Sequence, residues 1–122
     1  MNNKKNYIFE YDKKGVCIIR GLFNKKEMQK LNSYSQEIKN LVPRPGEIMK
    51  YYEKSVLNKK KDILVRSEFF YDYHKNLKKF LDSKKIHEIL DKLMRGRCVL
   101  FKEKINYKPP GCRADKVHQG SQ

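Results

Sequence analysis

The residues most able to do chemistry lie in the last quarter of the chain, residues 98–122. Residues 98–108 are predicted to form one long strand, and its mostly apolar face consists of Val99, Phe101, Glu103, Ile105 and Tyr107. The alternation places Cys98, Leu100, Lys102, Lys104 and Asn106 on the other face. That face changes along its length from apolar to cationic and amide-bearing. Such groups would suit the carboxylate of an acidic small molecule. A solvated edge face would show the same pattern, and the alternation alone does not separate the two.

This strand is predicted to end at the Pro-Pro-Gly of residues 109–111, and the chain then reaches His118-Gln119-Gly120. Prolines interrupt a strand because they lack the backbone donor that a ladder needs. The three cysteines share no short spacing, so neither a zinc site nor a disulfide framework is predicted. His74 and His87 lie among lysines on predicted helices, where we interpret them as ordinary helix residues.

The first half of the chain is predicted to supply the elements that support this segment. Residues 7–12 suggest an edge strand or a short turn, and Gly15 is expected to open a strand over residues 16–20, which are rich in β-branched side chains. Asn24, with Glu27 three residues later, predicts a capped helix. Its apolar stripe consists of Met28, Leu31, Ser35, Ile38 and Val42.

The second half is predicted to hold one strand and two helices before the final strand. Residues 63–66 read as a strand, whereas residues 48–57 are ambiguous. The aromatic residues Phe69, Phe70, Tyr71 and Tyr73 are interpreted as core. Asp72 is the predicted cap of a helix over residues 73–81, Ser83 is that of a second helix, and Gly96 is expected to end the latter.

The composition indicates one soluble α+β domain over residues 1–122. Apolar residues make up 39% and charged residues 35%, and no apolar run approaches the roughly 18 residues that cross a bilayer. The N-terminal stretch has no apolar region typical of a signal peptide, so we expect a cytoplasmic protein. The net charge of +15 comes mostly from lysines interspersed with acids. We therefore expect neither specific nucleic-acid binding nor membrane binding, while a basic binding module remains an alternative.

Residues 104–111, KINYKPPG, resemble the phytanoyl-CoA dioxygenase family. His118-Gln119 follows them at the spacing that this family has. The order of the predicted elements from about Gly15 onward agrees with this resemblance. It implies a non-haem Fe(II)/2-oxoglutarate-dependent oxygenase built on a double-stranded β-helix (a jelly-roll, cupin-like fold) with supporting helices. It also implies a small-molecule substrate. Nothing in the sequence indicates an oligomeric state.

The resemblance also implies roles for individual residues. His118 matches the first iron ligand of a facial triad of two histidines and one carboxylate. Lys102 and Asn106 match positions that contact 2-oxoglutarate, and Lys104 shares their face and would look toward the substrate. The second histidine and the 2-oxoglutarate-binding Arg of such proteins come from later strands. We therefore expect the chain to be the N-terminal portion of such an enzyme, inactive by itself.

Gly120 stands where the family has its carboxylate ligand, and glycine cannot bind a metal. Related halogenases carry Gly or Ala at this position, which leaves room for chloride or bromide on the iron. Alternatively, Gly120 marks a non-catalytic relative or a single variant of a hydroxylase. Because the remaining motif is hydroxylase-like, a hydroxylase ranks first and a halogenase second.

Overall fold

Four helices and a small antiparallel sheet make up the computed structural model, which describes residues 6–116. The strands pair in the order β1-β2-β3. The elements are, in chain order, α1 (Asn6–Lys14), α2 (Lys25–Asn40), β1 (Met49–Lys54), β2 (Asp62–Glu68), α3 (Lys75–Leu81), α4 (Lys84–Met94) and β3 (Lys104–Asn106). No helix in this part of the chain is long and apolar enough to cross a membrane.

The N-terminal segment differs from its prediction. Residues 7–12, expected to be an edge strand or turn, belong to α1. Gly15 adopts φ +71° and its N–H bonds Tyr11 O at 2.7 Å, so it ends a helix instead of opening a strand. Residues 16–20 form no strand, and Val16 and Ile18 are exposed. Their β-branched side chains favour extended backbone, but a strand also needs a partner, and none of the described strands pairs with this segment.

Helix α2 confirms the predicted capping box. The Asn24 side chain accepts from Glu27 N at 2.9 Å, and the Glu27 carboxylate accepts from Asn24 N at 2.8 Å. The helix ends at Asn40, shortly before Pro43. Ile38 from its apolar stripe is fully buried, whereas Met28 and Val42 are exposed. The stripe therefore supplies the core over only part of its length.

Strands β1 and β2 form a hairpin, and β1 lies within the stretch that the sequence left ambiguous. The predicted strand at residues 63–66 is confirmed as β2 and is longer at both ends. Tyr51 pairs with Arg66 but Tyr52 pairs with Leu64, so Val65 is an extra residue in β2. This bulge turns the strand locally, next to Arg66.

Both predicted helices of the second half are present, but their ends are made differently. His74, not Asp72, caps α3, because its Nδ1 accepts from Leu77 N at 3.0 Å. Ser83 occupies the N-cap position of α4 without a side-chain hydrogen bond. The left-handed residue at the end of α4 is Arg95 (φ 55°), not Gly96. The ends of both helices thus lie within about two residues of their predicted positions, whereas their capping chemistry differs from the prediction.

The final strand is much shorter than predicted. Residues 98–103 pair with nothing among the described residues, and only Lys104–Asn106 join the sheet. Val99 and Phe101 are 81% and 99% exposed, so the apolar face expected there is not buried. The alternation does hold near β3, where Glu103, Ile105 and Tyr107 are half-buried and their neighbours are exposed.

One face of the sheet packs on the helices, and we call it the helix face, defined by Lys50, Ser67 and Ile105. The register pairs Lys50 with Ser67 and Ser67 with Ile105, so all three share a face. Ile105 packs on the buried core of the domain. That core consists of Ile38 from α2, Leu77 from α3, and Phe70 from the connection that follows β2.

The aromatic stretch after β2 only partly confirms its prediction as core. Phe70 is 2% exposed, but Phe69 and Tyr73 are about half exposed. Phe69 also adopts φ 59°, a left-handed conformation that is costly for an aromatic residue. The turn after β2 thus directs one aromatic residue inward and its neighbours outward.

Candidate functional site

The candidate site lies on the other face of the sheet, which we call the open face. Register places Tyr51, Arg66 and Asn106 in one row across the three strands, and Met49, Glu68 and Lys104 in the next. Side chains in one row stand about 4.5–5.5 Å apart at their Cβ atoms. The open face therefore brings a guanidinium, a carboxylate, a lysine and an amide side by side.

Glu68 is the buried centre of the open face. Its side chain is 5% exposed, and its carboxylate lies 3.1 Å from Arg66 Nε and 3.7 Å from Lys102 Nζ. The Tyr51 hydroxyl donates to Glu68 Oε2 at 3.2 Å. Burying a carboxylate is costly unless cations and donors surround it. Glu68 has both, and it fixes the positions of the three side chains that reach it.

Arg66 lies between Tyr51 and Glu68, and some of its guanidinium N–H donors remain unused. Its guanidinium carbon lies 4.2 Å from the centroid of the Tyr51 ring, a stacked cation–π geometry. Its Nε is buried close to Glu68, yet the N–H is not aligned for a hydrogen bond, so the contact is one of charge. A guanidinium carries five N–H donors in a planar fork. Arg66 is thus oriented, and its hydrogen-bonding capacity is not used up by Glu68.

Asn106 and Arg66 border a small cavity of about 270 Å³, the Arg66 cavity. Its walls mix three basic side chains with two acidic ones. The lining residues are Tyr51, Tyr52, Glu53, Val65, Arg66, Asn106, Lys108, Cys112, Arg113 and Asp115. The extra β2 residue, Val65, lies in this wall, so the bulge helps to shape the cavity beside Arg66.

The loop after β3 closes one side of the Arg66 cavity and confirms the predicted turn at residues 109–111. Cys112 N donates to Pro109 O at 3.1 Å, and Gly111 O accepts from Val56 N at 2.8 Å. Gly111 has φ +89°, and a Cβ there would overlap Ser55 Oγ. Only glycine lets the loop pack this closely on the β1–β2 hairpin.

Charges within the cavity are partly paired. Lys108 binds Asp115, and this hydrogen bond raises the pKa of Lys108. Glu53 Oε1 accepts from the backbone N–H of Arg113 at 2.6 Å. Within residues 6–116, the Arg113 guanidinium makes no ion pair or hydrogen bond. Arg66 and Arg113 are therefore the basic groups most available to a ligand.

The sequence-predicted residues are brought together only in part. Lys104 and Asn106 share the open face of β3, and Lys102, just before the strand, reaches Glu68. Asn106 lines the Arg66 cavity, whereas Lys102 and Lys104 border a separate apolar groove of about 530 Å³ between α2, α3 and the segment before β3. The joint role of Lys102 and Asn106 toward 2-oxoglutarate stays a prediction.

The predicted iron ligand His118 and the Gly120 position lie outside the described residues. Within residues 6–116, no group of three or more His, Cys, Asp or Glu side chains could hold a metal ion.

Sequence reasoning missed Tyr51, Arg66 and Glu68 as site residues. The spacing of Arg66 and Glu68, two apart in a predicted strand, already indicated a common face. Which neighbouring strands lie beside that face depends on register, and the hairpin bulge at Val65 cannot be read from the residue pattern. This is why the Tyr51–Arg66–Asn106 row was not anticipated.

Comparison with known proteins gives one informative similarity. The chain is 38% identical over 105 residues to a protein named 2-aminoethylphosphonate dioxygenase from Uncultured bacterium HF130_AEPn_1. The match includes 86% of this chain but spans only 40% of the relative's length. No family model matches, and no solved structure matches.

Proposed function

We propose that the protein is an Fe(II)/2-oxoglutarate-dependent dioxygenase that hydroxylates a small organophosphonate. The observation that carries the proposal is the 38% identity to a named dioxygenase across 86% of the chain. The resemblance of residues 104–111 and His118-Gln119 to the phytanoyl-CoA dioxygenase family supports the cofactor requirement. The relative's name supports the substrate class. In this proposal the sheet is part of a double-stranded β-helix whose interior is the open face.

The chemistry of the open face suits an acidic cosubstrate. Arg66 and Lys102 together carry one more positive charge than Glu68 removes, and Lys104 adds another beside them. Lys102 and Asn106 would hold the carboxylates of 2-oxoglutarate, and Lys104 would face the substrate. The surplus positive charge would keep 2-oxoglutarate bound as a dianion.

His118 would be one iron ligand, as the family resemblance implies, and the bound iron would supply activation of dioxygen with electrons from 2-oxoglutarate. The chain aligns with only 40% of the relative's length. We therefore propose that the remaining iron ligands come from the rest of the whole enzyme, and that residues 1–122 alone do not turn over.

The test is conversion of 2-oxoglutarate to succinate by the whole enzyme with Fe(II) and 2-aminoethylphosphonate. We expect succinate formation that requires both iron and the phosphonate. Lys102→Gln and Asn106→Ala should raise the KM for 2-oxoglutarate about tenfold or more, while Lys59→Gln in the exposed β1–β2 turn should not change it. No substrate-dependent succinate with the intact enzyme would contradict the proposal.

Gly120 supports a second candidate, a halogenase of the same cofactor class. In that case chloride should change the spectrum of the iron(II)–2-oxoglutarate complex, and the product should carry halogen. Gly120→Asp should then abolish halogenation and restore hydroxylation. Products without halogen at any chloride concentration would exclude this candidate and leave the hydroxylase.

A further inference from the structure

We propose that the Arg66 cavity binds the phosphonate group of the substrate, with Arg66 and Arg113 as the main anion contacts and Glu53 as the contact for the amino group. This inference rests on the proposed function, because it assigns a substrate subsite within the same open face. It concerns residues to which neither the resemblance nor the relative's name gives a role.

Arg66 has the geometry of an anion receptor. Stacking on Tyr51 at 4.2 Å and the charge contact with Glu68 at 3.1 Å hold its plane in one orientation. Its bulge neighbour Val65 and register partner Asn106 both line the cavity with it. A preoriented guanidinium loses little conformational entropy when it forms a bidentate contact with a phosphonate.

A tetrahedral phosphonate uses more donors than one guanidinium provides. Its three acceptor oxygens can be met by the guanidinium groups of Arg66 and Arg113, which both line this cavity. Arg113 is anchored through its backbone, since its N–H bonds Glu53 Oε1 at 2.6 Å. Its guanidinium makes no ion pair within residues 6–116, so it can turn toward a ligand.

The acidic side chains favour an amino-phosphonate over 2-oxoglutarate in this cavity. Glu53 and Asp115 would repel the second carboxylate of 2-oxoglutarate, whereas a carboxylate is the natural partner of an ammonium group. Glu53 uses one oxygen on Arg113 N, and its other oxygen remains for such a contact. A volume of about 270 Å³ is at the lower end of ligand sites, which suits a molecule of a few heavy atoms.

The test measures binding to the whole protein by calorimetry and by NMR, without iron, using 2-aminoethylphosphonate, ethylphosphonate, inorganic phosphate and 2-oxoglutarate as separate probes. We expect Arg66→Gln to weaken 2-aminoethylphosphonate binding about tenfold or more, and Arg113→Gln to weaken it less. Arg66→Lys should recover only part of the loss, because it keeps the charge but not the fork. Lys59→Gln removes one exposed charge outside the cavity and should change nothing.

Glu53→Gln tests the amino-group contact independently. It should reduce the preference for 2-aminoethylphosphonate over ethylphosphonate several-fold while leaving ethylphosphonate binding almost unchanged. If circular dichroism shows that Arg66→Gln does not fold, Arg113→Gln and Glu53→Gln still test whether the cavity binds the amino-phosphonate. Arg113 lies in the loop after β3 and Glu53 in β1, and both line the cavity.

The outcomes separate this inference from the proposed function. If folded Arg66→Gln and Arg113→Gln bind 2-aminoethylphosphonate as tightly as wild type does, the assignment of the subsite is overturned. It is also overturned if inorganic phosphate binds equally well to wild type and to these variants. If 2-oxoglutarate displaces the phosphonate and loses affinity in Arg66→Gln, the cavity is the cosubstrate site and the inference fails while the enzyme class stands. If the phosphonate binds through Arg66 but the whole enzyme never forms succinate, the subsite stands and the proposed function fails.

Discussion

The two faces of the three-stranded sheet differ in how their polar side chains are hydrogen-bonded. On the helix face, Ser67 is fully buried and shares a hydrogen bond of 2.9 Å with the Tyr107 hydroxyl, while Ile105 packs on the core. On the open face, the matching positions hold Arg66, Glu68 and Asn106. The polar groups of the helix face are satisfied internally, whereas those of the open face keep unused hydrogen-bonding capacity.

We interpret the helix face of the sheet as the face that stabilises the fold and the open face as the face that binds ligands. Apolar burial against α2 and α3 stabilises the sheet from the helix face. Even the charged Lys50 serves that packing: its Nζ donates to Lys39 O near the end of α2, and burial lowers its pKa. On the open face, charged and amide side chains lie side by side, and we interpret them as a site for ligands.

The largest expected effect on stability is on the helix side. Ile38→Ala should lower the free energy of unfolding by about 2–5 kcal/mol, because Ile38 is fully buried in the core cluster. Val42→Ala is the matched control near the same helix end, and it should cost less than about 0.5 kcal/mol because Val42 is 73% exposed. Denaturant unfolding measures both. Equal losses would contradict the assignment of the core.

The next effect lies on the open face. Glu68→Gln should lower the free energy of unfolding by about 1–3 kcal/mol, since it leaves Arg66 without its buried counter-charge. Asp72→Asn removes an exposed partner of Lys78 and should cost under about 1 kcal/mol. A Glu68→Gln variant as stable as wild type, with unchanged ligand affinity, would show that Glu68 does not organise the open face.

Helix caps give a smaller effect that depends on the observed hydrogen bonds. Asn24→Ala should cost about 1 kcal/mol, because its side chain bonds Glu27 N at 2.9 Å. Ser83→Ala should be nearly neutral, because Ser83 occupies the same position on α4 without such a bond. Thermal unfolding of the two variants tests the pair. The reverse order would contradict the capping geometry.

The smallest effect is a pH dependence of stability that arises from Glu37 in α2. Hydrogen bonds from His74 and Ser33 lower the pKa of Glu37 below its ordinary value of 4.5. The unfolded chain therefore binds more protons in this range, so stability is full above about pH 4.5 and falls as the pH drops through the native pKa. Glu37→Gln should flatten this fall in acid unfolding curves. An unchanged acid profile would contradict the contact with His74.

The sequence anticipated the local elements better than their assembly. The Asn24–Glu27 capping box and the turn at residues 109–111 depend on a few neighbouring residues, and both are present. The strand expected at residues 16–20 failed because extended propensity does not supply a partner. Likewise, most of residues 98–108 stay outside the sheet, since no described strand lies beside them.

The site could be predicted only along one strand. Alternation correctly placed Lys104 and Asn106 on one face, because that relation is local. Arg66, Glu68 and Tyr51 come beside them through the pairing of strands far apart in sequence and through one bulge. His118 and Gly120, on which the metal hypothesis depends, lie outside the described residues and remain predictions.

The most direct test of the central claim is to map ligand binding onto the two faces by NMR. Titration with 2-oxoglutarate should perturb the signals of Lys102 and Asn106, and titration with 2-aminoethylphosphonate those of Arg66 and Arg113. Ser67 and Ile105, one residue away in the same strands, should change much less. Perturbations concentrated on Ser67 and Ile105, or only on the lysines of the β1–β2 turn, would contradict the assignment of the open face as the binding face.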